Sequence, residues 1–374
     1  MNQLREVLEL DYPRLIEILQ TPLEVGKPVI LPDFFIDHFV VADTLEGMVE
    51  GLENLAKQGG GNLLGTTQFI RRGGNAANLA AALFSLGIDS CLVATTDEYG
   101  ASLLRALIDP DFDLSHIHTD GRLSSTVSIE LEYGGRQVNL MVSDSGSAAD
   151  FTFSELTEPD LQAIRKSSLV ALLNMNHNKD PATLADELFE YVKDESKATT
   201  FLDMGDPSSN PSIVEPIAGR VLSADKIDIL SVNENEVLWL AWALAGRDLS
   251  WRTNTSRPSS WIKAAKYLSK ETSIRVDLHT PDFAATIVED ISVVQPAFQA
   301  KPKISCGAGD AWNSGSIYGT LAEMSARDRL ILSNAVAAFY IASPKAIHPS
   351  ISEVISFLLG KPLLKDIDEK LLRA

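Results

Sequence analysis

Short β-rich runs recur at 29–31, 91–94, 169–173, 200–202, 227–230 and 274–276, with helical runs between most of them. This alternation constrains the fold more than any other feature of the chain. Parallel strands cannot be joined by tight turns, so helical crossovers connect them and cover both sheet faces. The pattern therefore predicts an α/β fold with a doubly wound, mostly parallel sheet. The clearest crossover spans 75–86, with Leu79, Leu83 and Leu86 on one face and Gly87 as its stop. In such sheets ligands sit at the carboxyl ends of the strands, so the loops that follow strands deserve the closest reading.

One region breaks the alternation. Residues 126–133 and 136–142 are strand-like and flank Gly134-Gly135, a two-residue hairpin signal. Two more extended stretches, 37–41 and 64–71, can pair with that hairpin, separated by a helical insert at 44–57 and the hinge-like Gly59-Gly60-Gly61. Together they predict a small β-sheet lid formed by about 37–72 and 124–143, beside a main domain of 27–374. Residues 1–26 read as a peripheral helical extension through Leu4, Leu8, Leu15, Ile16 and Leu19, interrupted at Pro13.

A formal charge of −19 disfavours nucleic acid or an anionic membrane as partner. An anionic substrate would need local positive charge or backbone donors. The two cysteines, Cys91 and Cys306, lie far apart in no metal-binding spacing, which fits structural thiols in a reducing compartment. The acidic, amphipathic start and the lack of any 18-residue apolar run point to a cytoplasmic protein.

The most informative loop is Gly307-Ala308-Gly309-Asp310, which opens a helix. Small residues there leave backbone N–H groups facing an anion, with the helix dipole adding positive charge. A carboxylate beside such an anion hole repels phosphate, so Asp310 fits better as a base that takes a proton from an attacking hydroxyl. A plain helix cap is the simpler alternative. In Gly73-Gly74-Asn75-Ala76-Ala77-Asn78, paired glycines permit close approach of a ligand, and the Asn78 amide can donate to and accept from hydroxyls. Asn233 and Glu236 can organise a magnesium ion through water, or form a capping box. Asp37, four residues beyond Asp33, is placed to accept from substrate hydroxyls, or is a solvated loop acid. The loops 174–178 and 203–206 also follow strands, whereas Asp97-Glu98 reads as a helix start. Arg71 and Arg72 suit a sugar phosphate, yet neighbours on a strand point to opposite faces, so only one is expected to face the cleft. Phosphate-loop, dinucleotide-binding, serine-hydrolase and zinc-protease motifs are missing.

In this order, Gly73, Gly74, Asn78 and Ala80, then Asn233 with Glu236, then the Gly307-Ala308-Gly309-Asp310 turn resemble the signatures of the ribokinase or PfkB family of carbohydrate kinases over roughly 28–350. The resemblance implies a sugar or nucleoside acceptor, ATP and Mg2+. It implies Asp310 as base, Gly307, Ala308 and Gly309 as anion hole, Asn233 and Glu236 as magnesium organisers, and Asp37, Gly73, Gly74 and Asn78 at the sugar. His279 and Asn334 would flank the nucleotide, and lids of the family often pair into homodimers. Two departures stand out. Ile304 and Ser305 occupy the place of an Asp-Thr pair whose Asp serves a monovalent-cation site, so potassium activation is not implied. Residues 276–282 lack the usual Thr-x-Gly near the nucleotide. A related branch uses ADP as donor, and a nucleoside kinase or a non-catalytic sugar or nucleotide sensor are the alternatives.

Overall fold

The computed structural model describes residues 12–304, 306–368 and 370–371. In chain order the strands are β1 (Val29–Leu31), β2 (Phe35–Thr44), β3 (Thr67–Gly73), β4 (Cys91–Leu92), β5 (Ala94–Thr95), β6 (Ile117–His118), β7 (Ser124–Tyr133), β8 (Arg136–Asp144), β9 (Leu169–Leu173), β10 (Thr199–Asp203), β11 (Ile229–Val232), β12 (Arg275–His279), β13 (Phe283–Val288) and β14 (Ile291–Pro296). The principal helices are α1 (Tyr12–Gln20), α2 (Leu45–Lys57), α3 (Asn75–Ser85), α4 (Glu98–Leu107), α5 (Glu158–Lys166), α6 (Pro181–Glu195), α7 (Glu236–Leu244), α8 (Pro258–Thr272), α9 (Ala308–Leu321), α10 (Ala326–Ala342) and α11 (Ile351–Leu359).

The main sheet has the order β14-β13-β12-β11-β10-β9-β1-β4. Its pairs from β4 to β12 are parallel, and β13 and β14 close one edge as an antiparallel hairpin. Alternate strand residues feed two separate cores, as a period of two requires. Val29, Leu31, Val170, Leu172, Leu230 and Val276 face the layer of α5 to α8. Ile30, Ala171, Leu173, Phe201 and Ile229 face α1, α3, α4 and α9 to α11. That two-sided burial is why these strands read as continuous apolar runs.

A second sheet, in the order β3-β2-β7-β8, holds the expected hairpin, whose turn residues Gly134 and Gly135 have φ of 60° and 79°. Both extended stretches join it, since β2 pairs with β3 and β7. The strand edges shift, for β2 runs to Thr44 and β3 begins at Thr67 rather than at residue 64. The β13–β14 hairpin was not anticipated. Its two-residue turn places Glu289 at φ 55°, a conformation that glycine or asparagine usually signals.

The amino-terminal helix also differs from expectation. Pro13 is the second residue of α1 instead of an interruption, at a position where its missing N–H costs nothing. Leu15, Ile16 and Leu19 are buried in the same core as Val354 and Leu358 of α11, so the helix is not peripheral. Leu4 and Leu8 lie outside the described residues. Among the described residues no helix is long and apolar enough to cross a membrane.

Candidate active site

Two cavities meet near the start of α9. The larger, about 700 Å3, is lined by Gly307, Ala308, Gly309 and Asp310 together with the ends of β10, β11 and β12. The smaller, about 330 Å3, is lined by Asp37, Phe39, Phe69, Asn78 and residues around them. Ile304 and Cys306 line both.

Gly307 adopts φ 80°, and a Cβ there would lie 2.5 Å from the Tyr340 hydroxyl. A glycine is therefore required twice over, by backbone conformation and by space. The chain then turns into α9, whose first described ladder bond runs from Ala311 N–H to Gly307 C=O at 3.0 Å. The N–H groups before Ala311 have no carbonyl of their own helix to reach. Asp310, only 4% exposed, does not act as a cap among the described residues; its Oδ2 accepts from Asn78 Nδ2 at 3.1 Å. Burial and the nearby charge of Asp203 push its carboxyl well above the usual carboxylate range, against the bond from Asn78.

On the other side of that bond, Asn78 sits in the first turn of α3. Gly74 precedes the helix at φ 86°, and a Cβ there would approach Phe35 N to 2.9 Å. Asp33 holds the helix start, accepting from Asn75 N (3.2 Å), Ala76 N (2.8 Å) and Asn174 Nδ2 (2.5 Å). Asp33 is thus the cap of α3, and Asn174 supports it. Asp37, on β2, packs its carboxylate onto Gly73, where a Cβ would lie 2.3 Å from the carboxylate carbon. Burial and the charge of Asp33 raise the Asp37 carboxyl to about 6, although Arg71 opposes the shift.

Both arginines line the smaller cavity, contrary to the expectation from strand alternation. Arg71 lies over the Phe39 and Phe69 rings at 5.1 and 4.7 Å and donates to Pro344 C=O at 3.0 Å. Arg72 bends back on its long stem, donating to Leu107 C=O at 3.1 Å and to Asn78 Oδ1 at 3.4 Å. Alternation sets where a Cβ points, not where a flexible guanidinium ends. The chain Arg72–Asn78–Asp310 thus joins a cation to the buried acid through one amide, a link that residue spacing gave no sign of.

In the larger cavity, Asn233 and Glu236 form a reciprocal cap. Glu236 accepts from Asn233 N at 2.9 Å and from Asn233 Nδ2 at 2.7 Å, while Asn233 Oδ1 accepts from Glu236 N at 3.0 Å. Burial and the charge of Asp203 raise the Glu236 carboxyl well above its ordinary range. A second network was not read from the sequence: Asn313 of α9 donates to Asp203 Oδ2 at 2.6 Å and accepts from Ser231 Oγ at 2.6 Å, tying three elements together. His279 lines this cavity with its ring 5.1 Å from that of Trp312, and burial lowers its pKa, so the imidazole is neutral. Its Nε2 is sealed without a partner among the described residues. Asn334 also lines the cavity, but its amide is used internally, accepting from Trp312 Nε1 at 2.9 Å and donating to Pro296 C=O at 3.1 Å.

Elsewhere, Asp97 caps α4 through Gly100 N at 2.7 Å, as its position suggested. In the loop 174–178, Asn178 bonds the Ala148 and Phe151 carbonyls and His177 meets Ser145, so only Asn174 and Asn176 approach the cleft side through Asp33 and Asp206. Among the described residues no three His, Cys, Asp or Glu side chains converge on a direct metal cage. The acid-rich rim of Asp203, Asp206, Glu234 and Glu236, with Glu236 under electrostatic strain, instead fits a hydrated divalent ion held through water.

The architecture is that of a ribokinase-like α/β protein. The chain is similar to ribokinase from Arabidopsis thaliana complexed with ribose and ATP (TM-score 0.69, 18% identity, 90% of this chain and 99% of that one). It is also similar to fructokinase with bound ATP from Xylella fastidiosa (0.64, 14%, 90% and 99%) and to the nucleoside kinase of Methanocaldococcus jannaschii (0.61, 14%, 91% and 100%). No curated protein gives a significant sequence match. The model of the pfkB family of carbohydrate kinases matches residues 37–353, and the chain belongs to that family.

Proposed function

We propose that the protein transfers a phosphoryl group from a nucleotide, ATP in the first instance, to a hydroxyl of a sugar or sugar derivative, with Asp310 as the general base. The observation that carries this reading is the position of Asp310: buried, free of capping duty, and bonded across the boundary between two cavities. The larger cavity takes the nucleotide and the smaller takes the acceptor.

Acceptor hydroxyls are oriented by Asp37, which accepts from them, and by the Asn78 amide, with Gly73 and Gly74 allowing close approach. The small sheet acts as a lid that excludes water from the donor. As the acceptor oxygen attacks phosphorus and the bond to the leaving nucleotide breaks, its proton passes to Asp310. A carboxylate with a raised proton affinity is a stronger base once ionised. The backbone at Gly307, Ala308 and Gly309, with the dipole of α9, stabilises the charge on the moving group. Asn233 and Glu236 organise Mg2+ through water, which when bound neutralises phosphate charge. His279 lines the nucleotide cavity as a neutral imidazole.

The test is a panel of sugars and nucleosides offered with ATP or ADP, reading phosphorylated product. A sugar phosphorylated from ATP is the expected result. Nucleotide and sugar binding without product in any combination would mark a sensor instead of a kinase.

A further inference from the structure

Three cations line the acceptor cavity, Arg71, Arg72 and Lys345, on a chain that carries 51 acids against 32 bases. The half-buried Arg275 and the buried Arg329 are both answered by Asp277 at ion-pair distance. The cavity cations have no such partner, although Asp37 lies near enough to Arg71 to feel its charge. None of the three forms an ion pair with a described carboxylate; the hydrogen bonds of Arg71 and Arg72 end on the carbonyls of Pro344 and Leu107 and on the Asn78 amide oxygen. Burial lowers the pKa of Arg72 to about 10, with Tyr340 and Asp310 opposing the shift. Taking a cation out of water without a close counter-ion is costly.

The geometry also prepares a fork for an anion. The Arg71 guanidinium lies 5.1 and 4.7 Å from the centroids of Phe39 and Phe69, two rings that stack at 4.9 Å. Contact with aromatic rings restrains a guanidinium, a loss of freedom that binding would otherwise have to impose. The neutral carbonyl of Pro344 occupies one edge donor only. Lys345, the next residue, is exposed at the cavity rim. Asp37 stands opposite Arg71 across the β2–β3 pair, and Asn78 links Arg72 to Asp310, so groups suited to hydroxyls and groups suited to an anion lie side by side along this cavity.

We propose that the acceptor carries an anionic group, a carboxylate or a phosphate ester, that binds between Arg71, Arg72 and Lys345. This rests on the acceptor reading of the smaller cavity and narrows it from sugars in general to acidic or phosphorylated ones. An overall charge of −19 repels such a substrate, so a local cluster of this kind is what its capture requires.

The test is calorimetric titration of the full chain with matched pairs: ribose against ribose 5-phosphate, fructose against fructose 6-phosphate, and glucose against gluconate. At least one charged member is expected to bind ten-fold or more tightly than its neutral counterpart, with an advantage that shrinks on adding salt. The phosphate and carboxylate arms tell the two sources apart. Arg71→Gln and Lys345→Gln, both at accessible positions, are each expected to cut that advantage at least three-fold while leaving the melting temperature near that of the parent. Neutral sugars binding as tightly as their charged partners, binding by no member of the panel, or an advantage untouched by both substitutions would each overturn the proposal. Nucleotide consumption, measured separately, keeps the two readings apart. Charged-sugar binding without phosphoryl transfer would defeat the kinase reading and spare the anion site; transfer to neutral sugars without charge preference would do the reverse.

Discussion

Asp277 and Asp310 are both buried, yet their surroundings differ in kind. Asp277 is 0% exposed and accepts from Thr286 (2.8 Å), Ser316 (3.0 Å), Arg275 (3.1 Å) and Arg329 (3.3 Å). Burial alone would raise its pKa, but the two guanidinium groups and the hydroxyls outweigh it and hold the carboxyl below the ordinary range. Among the described residues Asp310 receives one amide bond, and the charge of Asp203 adds to burial, so its carboxyl rises. A saturated carboxylate has nothing left to offer a substrate. An under-satisfied one on a cavity wall does, and perturbed groups of that kind gather where chemistry occurs.

Removing the charge at Asp277 gives the largest expected effect on the fold. Asp277→Asn strands two arginines in the core and is expected to cost about 3–5 kcal/mol in denaturant unfolding; a loss under about 1 kcal/mol would erase the contrast with Asp310. Next comes Gly73→Ala, which drives a methyl group into the Asp37 carboxylate and is expected to cost about 1–3 kcal/mol by overpacking. Acceptor KM should rise with it, and an unchanged KM would detach Asp37 from the acceptor.

The pH dependence sharpens the same contrast. Asp37 has a folded pKa of about 6, raised from 3.8. Its ionised form accepts from hydroxyls, so acceptor affinity should fall as pH drops through about 6, and Asp37→Asn should flatten that limb. The sign for stability is opposite. A carboxyl with a raised folded pKa opposes folding once ionised, so its stabilising contribution is present below 3.8 and lost as pH rises through 6. Asp37→Asn should therefore gain stability relative to the parent at pH 8 more than at pH 4, as read from melting curves. The smallest effect is expected at Asn233→Ser, which keeps a residue able to cap α7 with Glu236 but removes the carboxamide. Stability should change by less than about 1 kcal/mol, while the magnesium needed for half-maximal activity rises several-fold; an unchanged requirement would leave Asn233 as a cap alone.

Much of the architecture was legible because apolar runs bounded by turn residues report directly on two-sided burial, and Gly134-Gly135 reports on a hairpin. The edge hairpin was not, since Glu289 takes a left-handed conformation without the glycine that would advertise it. The candidate site was legible in placement where local backbone marks it, since the Gly307–Asp310 turn and Asn78 meet at one cavity boundary. Long-range pairing left no mark: Asn313 reaches Asp203 across 110 positions, and Asp277 meets Arg329 across 52. The two arginines at 71 and 72 show a third limit. Strand alternation locates their Cβ atoms, but the stems decide where the charges go.

The measurement that bears most directly on Asp310 is single-turnover phosphoryl transfer by Asp310→Asn at saturating nucleotide and acceptor, with its unfolding curve recorded beside that of the parent. The expected result is a rate about 10²–10⁴-fold lower, with stability equal or higher because an under-satisfied buried charge has been removed. A rate within a few-fold of the parent, from a folded protein that binds nucleotide, would contradict the assignment of Asp310 as the base.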